Sequence, residues 1–111
     1  MKIGVDVMGG DYAPLAIIEG AVDALERISP DDNIVLIGDE AIILAKLKEM
    51  EVDPSLFTIV PTTQVIEMGD HPARAFSQKR DSSIAVGYGM LKNNKLDGFC
   101  SAGNTGAMLV G

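Results

Sequence analysis

A chain of 111 residues that is 47% hydrophobic carries enough apolar material for one packed core, which excludes a disordered polymer. Sixteen acidic residues against nine basic ones give a formal charge of −7, which disfavours nucleic acid and anionic membrane surfaces wherever no local basic patch intervenes. Cys100 is the single cysteine, and neither a secretory leader pattern nor an apolar stretch of membrane-spanning length is present, so a reducing cytoplasm is the expected compartment.

Lys2 to Val7 is a short, nearly continuous apolar run, the pattern of a strand buried on both faces. A helix follows, with Pro14 suited to its first position and Leu15, Ile18, Val22 and Leu25 recurring every three or four residues. Asn33 to Gly38 repeats the strand pattern. Asp39 then caps a second helix whose inward stripe is Ile43, Leu47 and Met50, until Pro54 blocks continuation. A third strand is expected over Phe57 to Pro61. From Thr62 to Arg80 the pattern loosens around Gly69, Pro72 and mixed charge, which predicts a long excursion with one short helix near Ala73 to Gln78. Asp81, Ser82 and Ser83 offer capping oxygens for a helix to about Leu91, whose interior Gly87 and Gly89 weaken and whose exit Asn93 and Asn94 suit.

Asp97 to Ser101 is the fourth apolar run, and Asn104 to Gly111 reads as the opening of a helix cut off after two turns. Strands alternating with helices at this spacing imply right-handed crossovers and an α/β fold, a three-layer, doubly wound, mainly parallel sheet. Such sheets usually carry more than four strands, so residues 1–111 are expected to form a single incomplete domain at the N-terminal end of a longer protein.

Three segments have the residue types for chemistry. Asp6-Val7-Met8-Gly9-Gly10-Asp11 leaves a strand, passes two glycines and enters a helix, a geometry that binds anions. Asp6 and Asp11 would repel bare phosphate and better suit hydroxyl, amide or metal contacts, and a plain strand-to-helix turn capped by Asp11 explains the segment equally well. Ser101-Ala102-Gly103-Asn104-Thr105-Gly106-Ala107 repeats the pattern with hydroxyls and an amide in place of acids. It suits phosphate better, with capping by Asn104 or Thr105 as the structural alternative; it fits neither the P-loop nor the G-x-G-x-x-G dinucleotide pattern. Arg74, Lys79 and Arg80, just before Asp81-Ser82-Ser83, could grip an anion, although a solvated charge cluster is the commoner fate. His71, between Asp70 and Pro72, reads as an exposed loop residue, Cys100 as a small buried hydrophobe, and Met8, Met68 and Met90 as core filling. No clustered His, Cys or carboxylate spacing suggests a metal site.

Taken together, Asp6 to Asp11 with Pro14, Ile66-Glu67-Met68 with Asp70 and Pro72, Lys79 with Asp81-Ser82-Ser83, and Ser101 to Ala107 make the whole chain resemble the N-terminal third of the PlsX family of bacterial phosphate acyltransferases. The resemblance implies a fold like that of the isocitrate and isopropylmalate dehydrogenases, a homodimer, loose peripheral membrane association through sequence outside this chain, and no metal or organic cofactor. It implies a role in phospholipid synthesis, in which inorganic phosphate attacks an acyl-acyl carrier protein to give acyl phosphate and free carrier protein. Tyr12 stands where the family commonly has histidine, so no histidine role carries over there.

On this reading Ser101, Gly103, Asn104 and Thr105 hold phosphate, with Arg74, Lys79, Ser82 and Ser83 as further substrate contacts and Asp6, Gly9, Gly10 and Asp11 lining the pocket. Arg74, Lys79 and Arg80 are expected to help guide the acidic carrier protein. The catalytic residues are left unassigned, and the isolated fragment is expected to be inactive. Two alternatives stay open: a phosphotransacetylase-like enzyme using acyl-coenzyme A, and a noncatalytic phosphometabolite-binding domain.

Overall fold

Four parallel strands form one sheet in the computed structural model, which describes residues 1–64, 71, 74 and 78–103. They are β1 (Lys2–Asp6), β2 (Asn33–Gly38), β3 (Thr58–Pro61) and β4 (Gly98–Cys100), in the order β3-β2-β1-β4. Each lies within one residue of its apolar run at either end. Among the described residues the crossovers carry three helices: α1 (Leu15–Leu25), α2 (Glu40–Glu49) and α3 (Ser83–Lys92). The expected short helix over 73–78 falls largely outside the described residues, as does everything from Asn104 onward.

Strand side chains alternate between two apolar layers, and this alternation puts helices on both faces. On one face Val5, Val7, Ile34, Leu36 and Ile59 meet Ile18 and Ala21 of α1 and Ile43 and Leu47 of α2. On the other, Val35, Ile37, Val60 and Phe99 meet Val86, Met90 and Leu91 of α3. The result is the three-layer α/β arrangement. Ile18, Leu36, Ile43 and Leu47 are wholly buried, each contributing about 1.5–3 kcal/mol of apolar transfer free energy. Lys46 reaches from α2 to Glu19 of α1 at 2.9 Å, and this hydrogen bond holds the ammonium above its ordinary pKa.

The helix ends follow local chemistry. Asp39 Oδ1 accepts the Ile42 N–H at 3.2 Å, Ser82 Oγ accepts the Ala85 N–H at 3.2 Å, and α3 leaves through Asn93 and a left-handed Asn94 at φ 61°. α2 ends ahead of Pro54, at Glu49, with Met50 as its C-cap and a left-handed Glu51 at φ 58°, so Pro54 is not what stops it; Pro54 opens a short 3-10 turn, Pro54–Leu56, capped by Asp53.

Two further expectations are corrected. Leu15 is 49% exposed, because α1 begins there and its buried line runs through Ile18 and Ala21. Cys100 is exposed, because β4 pairs only with β1 among the described strands. Gly87, which weakened the sequence pattern of α3, has a packing reason: a Cβ there would stand 2.2 Å from Cε1 of Phe99.

Candidate functional site

The sheet changes direction at β1. The first crossovers step from β1 to β2 and on to β3, and the chain then returns to the opposite side of β1 as β4. In open parallel sheets, the crevice beyond the strand C-termini at such a switch is where ligands bind, because the two loops diverge and leave their backbone groups unpaired. Here the loops are Val7 to Asp11 after β1 and Ser101 to Gly103 after β4, the first two segments singled out in the sequence.

The loops touch through backbone. A Cβ added at Gly103 would lie 3.2 Å from the Gly9 Cα, and one at Gly10 would lie 3.2 Å from both the Cβ and the carbonyl oxygen of Ala102. Gly10 has φ +100°, a conformation that other residues rarely adopt. Among the described residues, the amides of Gly9, Gly10 and Ala102 donate no hydrogen bond. The site therefore has three unspent N–H donors beside a close glycine contact.

Asp6 lies beneath this contact, 1% exposed. Its Oδ1 accepts the Met8 N–H at 3.0 Å and the Ser83 hydroxyl, and its Oδ2 accepts the Ser101 hydroxyl at 2.6 Å. Ser101 Oγ in turn accepts the Gly103 N–H at 3.0 Å. A buried carboxylate without such donors would cost several kcal/mol, so the two hydroxyls and the amide make its position tenable. One carboxyl group thereby joins β1, the start of α3 and the exit from β4.

The sequence-derived site residues divide accordingly. Asp6, Gly9, Gly10, Ser83, Ser101 and Gly103 meet in one cluster. Ser82 and Ser83 are 0% and 2% exposed; Ser82 Oγ caps α3 and the Ser83 hydroxyl donates to Asp6. Asp6 likewise faces inward instead of lining an open pocket, while Asp11 is exposed. Asn104 and Thr105 lie outside the described residues. On the excursion between β3 and α3, Arg74 is exposed and Lys79 half-buried, and the exposed His71 accepts the Arg74 N–H on Nδ1 at 3.4 Å.

The sequence reading missed a clasp at the base of that excursion. Asp81 Oδ2 accepts the Thr63 N–H at 2.8 Å and its hydroxyl, and the Asp81 N–H donates to Gln64 Oε1 at 3.0 Å. Both ends of the basic segment are thus pinned together. Polar residues flanking a long excursion were the only sequence sign, and they did not specify the pairing.

A family model described as "Fatty acid synthesis protein" matches residues 1–111, the whole chain. The chain belongs to the fatty acid synthesis protein family. Relatives named "Phosphate acyltransferase" include one from Caldicellulosiruptor saccharolyticus, 44% identical over 111 residues, covering 100% of this chain and 33% of the relative. One from Dictyoglomus thermophilum is 46% identical over 109 residues, covering 98% of this chain and 32% of the relative, and one from Clostridioides difficile is 41% identical over 111 residues, covering 100% and 32%. The chain spans about a third of the length of the curated relatives it matches.

Proposed function

We propose that the full-length protein is a phosphate acyltransferase of phospholipid synthesis, acting on an acyl-acyl carrier protein and inorganic phosphate. A phosphate oxygen attacks the thioester carbonyl carbon to form the carbon–oxygen bond and a tetrahedral oxyanion; its collapse breaks the carbon–sulfur bond, and the leaving thiolate takes up the proton that phosphate gives up. Acyl phosphate and free carrier protein result. Phosphate is already nucleophilic and a thiolate leaves readily, so positioning the two reactants and stabilising the tetrahedral oxyanion are the main demands.

The observation that carries this reading is the contact of the Gly9–Gly10 and Ser101–Gly103 loops at the switch point, with amides of Gly9, Gly10 and Ala102 unspent. The name shared by the relatives supports the reaction class. In the proposal these amides receive phosphate oxygens, Asn104 and Thr105 add a side-chain amide and a hydroxyl, and Arg74 or Lys79 balances charge. Asp11 stays at the rim. A homodimer, a cytoplasmic location and peripheral membrane contact made outside this chain belong to the same proposal. Among the described residues, no helix is long and apolar enough to cross a membrane.

The test is acyl phosphate formation by the full-length protein from long-chain acyl carrier protein and inorganic phosphate. Phosphate-dependent release of the carrier thiol is expected. Preferential turnover of coenzyme A thioesters would replace the carrier-protein assignment, and phosphate binding without consumption of any thioester would leave only a binding domain.

A further inference from the structure

Ser101 has one hydroxyl proton, and it points at Asp6 Oδ2, 2.6 Å away; the same oxygen receives the Gly103 N–H at 3.0 Å. The hydroxyl therefore cannot donate to a ligand while this arrangement holds. It is a relay from a buried carboxyl to a backbone amide. Gly9 closes over that relay, since a Cβ at this position would lie 2.5 Å from Asp6 Oδ2, 2.8 Å from Ser101 Oγ and 2.9 Å from the Gly103 nitrogen. A ligand in the crevice meets the glycine backbone before it can meet Asp6.

We infer that Asp6 is a positioning residue for the anion site, acting through the Ser101 hydroxyl to fix the Gly103 amide. The inference rests on the phosphate reading above and deepens it. It answers a difficulty in the sequence: a carboxylate in a phosphate-binding motif is electrostatically unfavourable. Three hydrogen-bond donors offset its charge, and Gly9 packs directly against the carboxyl, which is buried from solvent. The two oxygens have separate tasks. Oδ1 holds Met8 and α3 through Ser83, while Oδ2 governs the β4 exit through Ser101.

The separation of tasks provides the test, made in the full-length protein. Asp6→Asn and Ser101→Ala should each raise KM for inorganic phosphate about tenfold to a hundredfold, the range for losing a charge-assisted hydrogen bond. With acyl carrier protein saturating, kcat should change by less than about threefold, as expected for lost binding and not lost chemistry. The double variant should be no worse than the worse single one, because both act along one path. Ser83→Ala, which removes only an Oδ1 partner, should lower the melting temperature while leaving phosphate KM within about threefold of wild type. Amide hydrogen exchange supplies a readout that needs no turnover: Gly103 should exchange faster in Asp6→Asn and Ser101→Ala, with Leu36 in the central strand unchanged.

Additive effects of the two substitutions, an unchanged phosphate KM or unchanged Gly103 exchange would overturn the inference. If Asp6→Asn does not fold, Ser101→Ala against Ser83→Ala still decides it, and equal effects of these two on phosphate KM would overturn it. A wild-type protein that consumes no thioester would sink the reaction assigned above, while the exchange measurement would still judge the hold of Asp6 on Gly103.

Discussion

The two ends of the sheet handle polar groups in opposite ways. At the strand C-termini the buried polar residues Asp6, Thr62, Ser82 and Ser83 gather; the Asp6 carboxyl accepts the Ser83 and Ser101 hydroxyls and the Met8 N–H, and Ser82 Oγ caps α3. At the strand N-termini the polar contacts are exposed: the Met1 ammonium meets Asp32 at 3.0 Å, and the Lys2 N–H meets Asp97 at 2.7 Å. A wide groove of about 580 Å³, lined by Val22, Leu25, Val52 and Leu56 among others, also opens toward this second end. Burying polar groups demands fixed geometry, and fixed geometry is what a reacting anion requires; the opposite end has no such demand and relies on solvent.

Substitutions at the two ends put this contrast to the test. Gly9→Ala should have the largest effect, because its methyl group would press on the Asp6 carboxyl, the Ser101 hydroxyl and the Gly103 amide together. We expect acyl phosphate formation to fall about a hundredfold, the cost of displacing a site by around an ångström, with about 1–3 kcal/mol lost in denaturant unfolding. Retention of full activity would remove the close contact from the argument. Ser82→Ala should cost about 1 kcal/mol by loss of the α3 cap, read from the same unfolding curve, with phosphate KM little changed.

Asp32→Asn, at the other end, should have the smallest effect. The hydrogen bond from the Met1 ammonium is the main cause holding the Asp32 carboxyl below its ordinary pKa. A lowered folded-state pKa stabilises above the unfolded value, about 3.9, and that contribution disappears as pH falls through the lower folded value. The difference in melting temperature between wild type and Asp32→Asn should therefore be small at neutral pH and shrink toward zero on acidification. A difference that grows in acid would contradict the pairing.

Much of the scaffold was legible because buried parallel strands and amphipathic helices write their periods into contiguous residues. Asn33–Gly38 was readable as β2 and Asp39 as the cap of α2 for that reason. What was not legible depends on distant residues. Gly87 looked like a weakness in α3 because its reason, the Phe99 ring, belongs to the next strand. Cys100 looked interior because apolar composition does not reveal that a strand has only one described neighbour. The two glycine loops were legible, but not the network that joins them: Asp6 finds Ser83 77 positions away and Ser101 95 positions away, and nothing local announces either partner. Ser82 and Ser83 were read as ligand contacts for the same reason, since a helix-capping hydroxyl and a phosphate-binding one look alike in sequence.

The reversal of strand order at β1 also imposes a timetable on the nascent chain. β1 can pair with β2 once Asn33 has been made, but its other edge waits for Gly98 to Cys100. At roughly 5–20 residues per second, the ribosome takes on the order of ten seconds to supply that missing neighbour. The Asp6 carboxyl can gain Ser83 only late in this interval and Ser101 only after it. Translation thus supplies the β2 edge of β1 first, and the hydrogen bonds that hold Asp6 are complete only once Ser101 has followed β4.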